Sequence, residues 1–204
     1  MLRTAGALIG LGTAVGAAVL IAQGPLPGDV AITRGLQTLF GDRPGWAEAL
    51  TATARVPAIW GVVIVAAGLA FVRGGPWAAI AVPVAFGLAF GSAELWRLVL
   101  VAPRPTPDLV AVASPGTSSG LPSTFALYYG ALGAAVMLAR ARTGAPAAAA
   151  LVVAGAAVIA GCAARIVLGG HWTSQMLASA SFAAGLAALA HAVIARMPRR
   201  PTSA

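Results

Sequence analysis

Charged side chains are scarce in this sequence of 204 residues. Only 9% of the residues are charged and 59% are hydrophobic, and the mean hydropathy is +0.90. Soluble domains carry about 25% charged residues, so the composition excludes an ordinary soluble domain and indicates a membrane protein. Cys162 is the one cysteine. It excludes an intramolecular disulfide and disfavours a cysteine metal cage.

Lysine is absent, because all 13 basic residues are arginine. This is typical of a coding bias as much as of chemistry, so an arginine is informative here only through its position. The net charge of +8 does not require a nucleic-acid partner, since basic loops in membrane proteins usually reflect topology.

Long apolar runs account for most of the chain. A run of roughly 17–25 residues is long enough to cross a bilayer as a helix. The sequence predicts an all-α, single membrane domain over 1–204 with about six spans, near 5–23, 56–72, 77–101, 124–139, 146–168 and 174–195. A signal peptide is the alternative interpretation of the first run. The run is long for a signal peptide and no clear small-residue cleavage site follows it, so we favour a retained helix.

The distribution of charge predicts an orientation. One set of termini and connections holds arginine without any acid: Arg3, Arg73, Arg140, Arg142, Arg196, Arg199 and Arg200. The connections on the other side hold every loop acid: Asp29, Asp42, Glu48 and Asp108. The positive-inside rule then predicts a protein of the cell (inner or plasma) membrane, with both termini on the cytoplasmic side. The segment 24–54 is expected on the outer face, with a short interfacial helix ended by Gly41.

Three arginines collect at the predicted outer face from separate parts of the chain: Arg97, Arg104 and Arg165. Ionisable residues at such positions are functional candidates, and planar guanidinium groups suit phosphate oxygens. Ser123 opens the fourth span, where a serine N-cap with free backbone N–H groups behind it makes an anion site. Glu94 precedes Arg97 by three residues and is expected to pair with it on one helix face.

His171 begins the sixth span on the same side. A histidine beside a bound phosphate can act as a nucleophile if a neighbour on its other ring nitrogen fixes the tautomer. Gln175 follows four residues later and its amide oxygen can accept the imidazole N–H. It lacks the charge that would stabilise an imidazolium.

These residues form a pattern that resembles the type 2 phosphatidic acid phosphatase superfamily. That superfamily includes membrane lipid phosphate phosphatases and polyprenyl diphosphate phosphatases. Its motifs K-x6-R-P, P-S-G-H and S-R-x5-H-x3-D are matched in order by Arg97 to Arg104-Pro105, Pro122-Ser123-Thr124-Phe125 and Ala164-Arg165 to His171 and Gln175. The resemblance covers nearly the whole chain from about residue 50 and implies a six-helix membrane fold.

The resemblance also implies roles for individual residues. His171 is the expected nucleophile, and the phosphate is expected to bind Arg97, Arg104, Arg165, Ser123 and the Thr124 amide. No metal or other cofactor is implied. Phe125 stands where the superfamily has a histidine that protonates the leaving group, and Gln175 stands where it has an aspartate that orients the nucleophile.

The expected function is a membrane lipid phosphatase with an extracytoplasmic site and a phosphohistidine intermediate. Because general acid catalysis is worth roughly 10²–10⁴-fold, its loss favours a lipid diphosphate, whose leaving phosphate is already a stable anion. The expected partners are the bilayer and a polyprenyl or phospholipid-type substrate, with protein partners left open. The alternatives are a non-hydrolytic lipid-phosphate-binding or scaffold protein and a lipid phosphoryl transferase.

Overall fold

The computed structural model describes residues 1–140 and 142–197, and within these ranges it contains helices and no strand. The helices are α1 (Leu2–Ala22), α2 (Asp29–Phe40), α3 (Gly45–Ala52), α4 (Ala58–Gly74), α5 (Pro76–Arg97), α6 (Thr124–Met137), α7 (Ala145–Val167) and α8 (Thr173–Ile194). The all-α architecture predicted from the sequence is confirmed.

Six apolar helices lie where the sequence predicts spans. Four of them, α1, α5, α7 and α8, are long and apolar enough to cross a membrane, whereas α4 and α6 are shorter apolar helices. The chain is therefore a multi-pass membrane protein. Six complete crossings remain a prediction, because the 14 residues of α6 span only about 21 Å at 1.5 Å per residue.

The largest difference in helix bounds is at the end of the third span. The sequence predicts helix to residue 101, but α5 ends at Arg97. Pro103 and Pro105 follow closely, and proline disfavours helical backbone in the residue before it. The early end places Arg97 in the last turn of a helix and leaves Arg104 in the connection 98–123.

The predicted short helix in the segment 24–54 is α2, and it ends at Gly41 as expected. A second helix in this segment, α3, was not predicted. Both helices pack on α7, and α2 also contacts α8. The segment is therefore attached to the end of the bundle where α7 ends and α8 begins.

Helix α6 is the centre of the bundle. Every residue from Phe125 to Val136 is buried, and α4, α5, α7 and α8 surround the helix. A helix that is apolar on all sides belongs in an interior. Small residues allow the close approach of its neighbours: a Cβ at Gly130 would lie 3.0 Å from the backbone of Ala180.

The connections that hold arginine without acid lie at one end of this bundle, and the predicted site residues lie at the other. Met1, Arg140 and Ala195 line one cavity, and the backbone N–H of Arg142 donates to the Arg73 carbonyl. The other end carries Arg104 and His171. The orientation of these ends in the membrane remains a prediction, and Arg199 and Arg200 lie outside the described residues.

Helix α1 packs along α8 through two glycines. A Cβ at Gly12 would lie 2.6 Å from the Phe182 nitrogen, and one at Gly185 would lie 2.9 Å from the Ile9 nitrogen. These positions therefore accept no side chain without displacement of a backbone. Gly10, on the same helix, has nothing within 4 Å of such a Cβ.

We expect Gly12→Leu to destabilise the protein by about 1–3 kcal/mol, because it forces α1 away from α8. Thermal unfolding of the detergent-purified protein measures this effect, with Gly10→Leu as the matched control on the same helix. An equal loss in both variants would contradict the assigned packing of α1.

Candidate functional site

The residues that the sequence brings to one face meet where α5 and α7 end and α6 and α8 begin. Arg165 lies in the last turn of α7, and His171 lies in the short link before α8. The connection 98–123 runs over these helix ends and contributes Arg104. The site is therefore built from four helix ends and one long connection.

His171 is buried, with 3% of its surface exposed. Its Nδ1 lies 3.0 Å from the Gly120 carbonyl oxygen, and its Nε2 lies 3.4 Å from Nη1 of Arg104. A carbonyl oxygen only accepts and a guanidinium only donates, so these contacts assign the proton to Nδ1 and the lone pair to Nε2. The imidazole is thus held as one tautomer by Gly120.

The electrostatic surroundings keep this imidazole neutral. Burial, followed by the charges of Arg165 and Arg104, holds the pKa of His171 well below its usual value, and the contacts with Gly120 and Gln175 act in the opposite direction. A neutral imidazole with its lone pair on Nε2 is the form that can attack an electrophile once the contact with Arg104 opens.

The sequence predicts Gln175 as a weak orienting group for His171, and its hydrogen bonds tie it to other groups as well. It lies beside the imidazole, but its oxygen accepts the Trp172 N–H at 3.2 Å and its Nε2 donates to the Pro103 carbonyl at 2.7 Å. The first of these bonds is that of a glutamine at the third position of a helix. The imidazole N–H therefore pairs with Gly120, and Gln175 ties the start of α8 to the residue before Arg104.

Arg104 is saturated with hydrogen bonds from the protein. Nε donates to Ser118 O at 2.7 Å, and Nη2 donates to Ser118 Oγ at 2.9 Å and Ser119 O at 3.3 Å. Nη1 donates to Gly170 O at 2.9 Å and faces His171. Burial, then the charge of Arg97, lowers the pKa of Arg104. Cations held this close together favour the entry of an anion.

Arg165 is buried and has fewer partners. Among the residues that the structure describes, its guanidinium donates to Ser114 Oγ, at 3.0 Å. The guanidinium lies against Gly170, where a Cβ would be 2.5 Å from Nη2. Gly169 has φ +62, a conformation that glycine adopts without cost. The glycine pair therefore provides both the turn and the space for Arg165.

Arg97 and Thr124 lie together, because Nη2 of Arg97 donates to the Thr124 hydroxyl. Nη1 of Arg97 also pairs with Glu94 at 2.9 Å, which confirms the predicted helix-face pair. Arg97 is more exposed than Arg104 and Arg165. It therefore lies at the rim of the site.

Ser123 is the N-cap of α6, as predicted. Its Oγ accepts the Ala126 N–H at 3.4 Å, and its own N–H donates to Ser179 Oγ at 2.9 Å. The residue is fully buried. Ser123 thus fixes the start of α6 against α8 within the site.

Phe125, at the position where the resemblance expects a histidine, is part of the apolar core. Its ring stacks on Tyr129 at 4.3 Å between centroids, and it packs with Ile166 and Met176. The side chain carries no group that can transfer a proton. The position is thus used for packing.

Sequence reasoning missed three residues that hold the site together. Gly120 binds His171 only through its carbonyl, which no side-chain pattern reveals. Asp29 accepts the Ser174 N–H at 2.8 Å and the Ser174 hydroxyl at 2.6 Å, so α2 supplies a cap for α8. Gln37 donates to the carbonyls of Ala111 and Val167. The segment 24–54 therefore fastens the site rather than only covering it.

Comparison with known proteins shows the fold. No protein-family profile and no curated protein sequence matches the chain. A crystal structure described as the first transmembrane PAP2 type phosphatidylglycerolphosphate phosphatase from Bacillus subtilis is similar, with a TM-score of 0.71 and 16% identity over 96% of this chain and 98% of that one. The chain therefore has the fold of a PAP2 type transmembrane phosphatase, as the three motifs predicted.

We expect His171 to stay neutral, with its proton on Nδ1, even when the pH is below about 6.5, the usual pKa of a histidine. Folding lowers this pKa, so the stability contributed by neutral His171 is present above the unfolded value and is lost as the pH falls below it. Nitrogen chemical shifts of ¹⁵N-histidine-labelled protein measure the state, with His191→Gln assigning the second histidine. A midpoint at or above about 6.5 would contradict the site geometry.

Removal of the Asp29 carboxylate should destabilise the start of α8. Asp29→Ala leaves the Ser174 N–H and hydroxyl without their acceptor, and we expect a loss of about 1–3 kcal/mol in thermal unfolding. Asp42→Ala, at an exposed position of the same outer segment, is the control. Equal stability of the two variants would show that the cap is energetically unimportant.

Proposed function

We propose that this chain is a membrane lipid phosphatase of the type 2 phosphatidic acid phosphatase superfamily, with His171 as the nucleophile and a lipid diphosphate as its preferred substrate. The observation that carries the proposal is the geometry of His171: a buried imidazole whose Nδ1 contacts the Gly120 carbonyl and whose Nε2 faces Arg104. The PAP2 type fold supports the reaction class.

The first step is attack of Nε2 of His171 on the terminal phosphorus. The nitrogen lone pair forms the N–P bond, and the bond from phosphorus to the bridging oxygen breaks with its electron pair moving to that oxygen. The imidazole becomes cationic in this step. The Gly120 carbonyl, which accepts a hydrogen bond from the Nδ1–H group, stabilises that charge less than a carboxylate would.

The arginines stabilise the transferring group. Arg165 offers N–H groups beyond the one bonded to Ser114, and Arg104 lies between the nucleophile and the connection 98–123. Phosphoryl transfer places negative charge on the equatorial oxygens, and preorganised donors act on that charge without reorganisation. Ser123 and the backbone N–H groups at the start of α6 add the dipole of a helix terminus.

The absence of a proton donor at Phe125 favours a diphosphate. From a lipid diphosphate the leaving group is a lipid monophosphate, which is a stable anion without protonation. From a lipid monophosphate the leaving group is a basic alkoxide, which needs a general acid. In the second step water attacks phosphorus, the N–P electron pair returns to Nε2 of His171, and the water protons leave with the inorganic phosphate.

The position of the site fits a substrate that shares the bilayer. The helix ends that carry the site lie at one end of the bundle. The other end is rich in arginines that have no acidic residues near them in the sequence. With that basic end in the cytoplasm, the pocket opens on the extracytoplasmic face. A lipid phosphate enters it from the outer leaflet.

A second candidate is a lipid-phosphate-binding protein without hydrolytic activity. The observation that favours it is the pair of substitutions at the proton-transfer positions, with Phe125 built into the core and Gln175 bonded to Trp172 and Pro103. In that case the arginines bind the headgroup and His171 only completes the pocket.

Phosphate release from matched prenyl diphosphate and prenyl monophosphate tests the proposal in detergent micelles. We expect faster phosphate release from the diphosphate, and a labelled, acid-labile phosphohistidine that can be trapped during turnover. Phosphate release and the labelled phosphohistidine should both be lost in His171→Ala. Arg165→Ala should lower kcat by roughly 10²–10³-fold, as loss of a charge-stabilising donor does.

His191→Ala is the matched control. It changes the other histidine of the chain, which bonds to the Ala135 carbonyl at the far end of the bundle, and should retain activity. Faster monophosphate turnover would overturn the substrate preference. Lipid-phosphate affinity that needs Arg165 but not His171, without phosphate release, would establish the binding protein instead. Transfer of the label to an acceptor other than water would establish a phosphoryl transferase.

A further inference from the structure

An apolar groove runs between α1 and α5 and ends beside the site. We call it the α1–α5 groove; its cavity has a volume of about 160 Å³. Its walls include Gly16, Leu20, Trp96, Leu121, Pro122 and Phe182. Nearly all of the lining is hydrocarbon, so the groove offers few partners to a polar headgroup.

The groove exists because α1 leans on α8 and not on α5. The glycine contacts at Gly12 and Gly185 bring α1 and α8 together, and in the part of the chain that the structure describes α5 makes no comparable packing with α1. Trp96 of α5 instead reaches Phe182 of α8, edge to face, at 6.1 Å between ring centroids. The space left between α1 and α5 faces the membrane.

The outer end of the groove is closed over its apolar lining. Gln23, which ends α1, donates to the Val101 carbonyl at 3.3 Å. Below this contact Val19, Leu121 and Ala178 form a buried apolar cluster. Because Leu20 and Leu121 line the groove near this end and Gly12 lines it further along α1, a hydrocarbon chain lying in the groove runs away from the bundle end that holds His171.

The groove and the phosphate site share one short stretch of backbone. Leu121 and Pro122 line the groove, while the residues on either side of them, Gly120 and Ser123, belong to the site. Ser179 also lines the groove, and its hydroxyl accepts the Ser123 N–H. A molecule with a phosphate among the arginines would thus have its hydrocarbon portion next to the groove.

We propose that the α1–α5 groove binds the hydrocarbon chain of the substrate, in the portion adjacent to the headgroup. This inference rests on the proposed function and adds to it the recognition of the lipid chain. Because the chain leaves one apolar medium, the bilayer, for another, the groove gains little from the hydrophobic effect. Its effect is to orient the phosphorus toward His171, and orientation is worth large factors in rate.

Gly16 offers a direct test. A Cβ at this position would touch only Ala178 Cβ, at 3.9 Å, so the first carbon of the Gly16→Leu side chain enters the groove lining without a clash. We expect the ratio of kcat/KM for a long-chain prenyl diphosphate to that for methyl diphosphate, which has no chain to place in the groove, to fall about 10-fold to 100-fold. Ala17→Leu, at a second position in the groove lining, should lower the same ratio.

Gly10→Leu is the matched control, because it makes the same change on the same helix where a Cβ has nothing within 4 Å. It should leave the ratio unchanged. An unchanged ratio in Gly16→Leu and Ala17→Leu, or an equal fall for both substrates, would overturn the proposal.

Photolabelling separates this proposal from the proposed function. A prenyl diphosphate carrying a diazirine near the headgroup should label α1 or α5 at the groove. The experiment uses the His171→Ala variant, because photolabelling does not need turnover. Labelling at the groove without phosphate release from the wild type would retain the groove and reject the phosphatase. Labelling elsewhere in the bundle would reject the groove even if the wild type releases phosphate.

Discussion

The site is organised by buried arginine charge that has almost no acid to neutralise it. Arg104 and Arg165 lie at the end of an apolar bundle, and among residues 1–140 and 142–197 the one carboxylate paired with an arginine of the group is Glu94, on Arg97 at the rim. Burial of a cation is costly unless it is hydrogen-bonded. The connection 98–123 supplies those bonds with the Ser118 and Ser119 carbonyls and the hydroxyls of Ser114 and Ser118. The course of this connection is thus coupled to the arginines it surrounds.

The same charge determines the chemistry available to His171. Two neighbouring cations and burial disfavour the imidazolium, so the imidazole rests as a neutral base whose Nε2 lone pair faces Arg104. The Gly120 carbonyl fixes its tautomer without adding a negative charge. A site with a carboxylate in that position would stabilise the imidazolium more strongly. This arrangement instead leaves the site with a high net positive charge that a polyanion would neutralise.

The sequence predicted the fold and the members of the site better than the contacts among them. Apolar runs and motif spacing located the six apolar helices and brought Arg104, Arg165 and His171 to one end of the bundle. Backbone contacts carry no sequence signal, so Gly120 was missed. Asp29 was missed because its partner, Ser174, lies far away in the chain. Gln175 was predicted as a weak orienting group for the imidazole, beside which it lies. The capping of α8 and the bond to the Pro103 carbonyl, which also engage its amide, were not predicted.

The saturation of Arg104 makes its binding of an anion an exchange. Its five N–H groups face Ser118, Ser119, Gly170 and His171, so an entering anion has to displace carbonyl oxygens and a nitrogen that already accept. The protein's own acceptors already satisfy these N–H groups, so the hydrogen bonds that an anion gains at Arg104 are offset by those it displaces. The hydrogen bonds that hold the connection 98–123 around Arg104 and those that would hold an anion there are therefore alternatives.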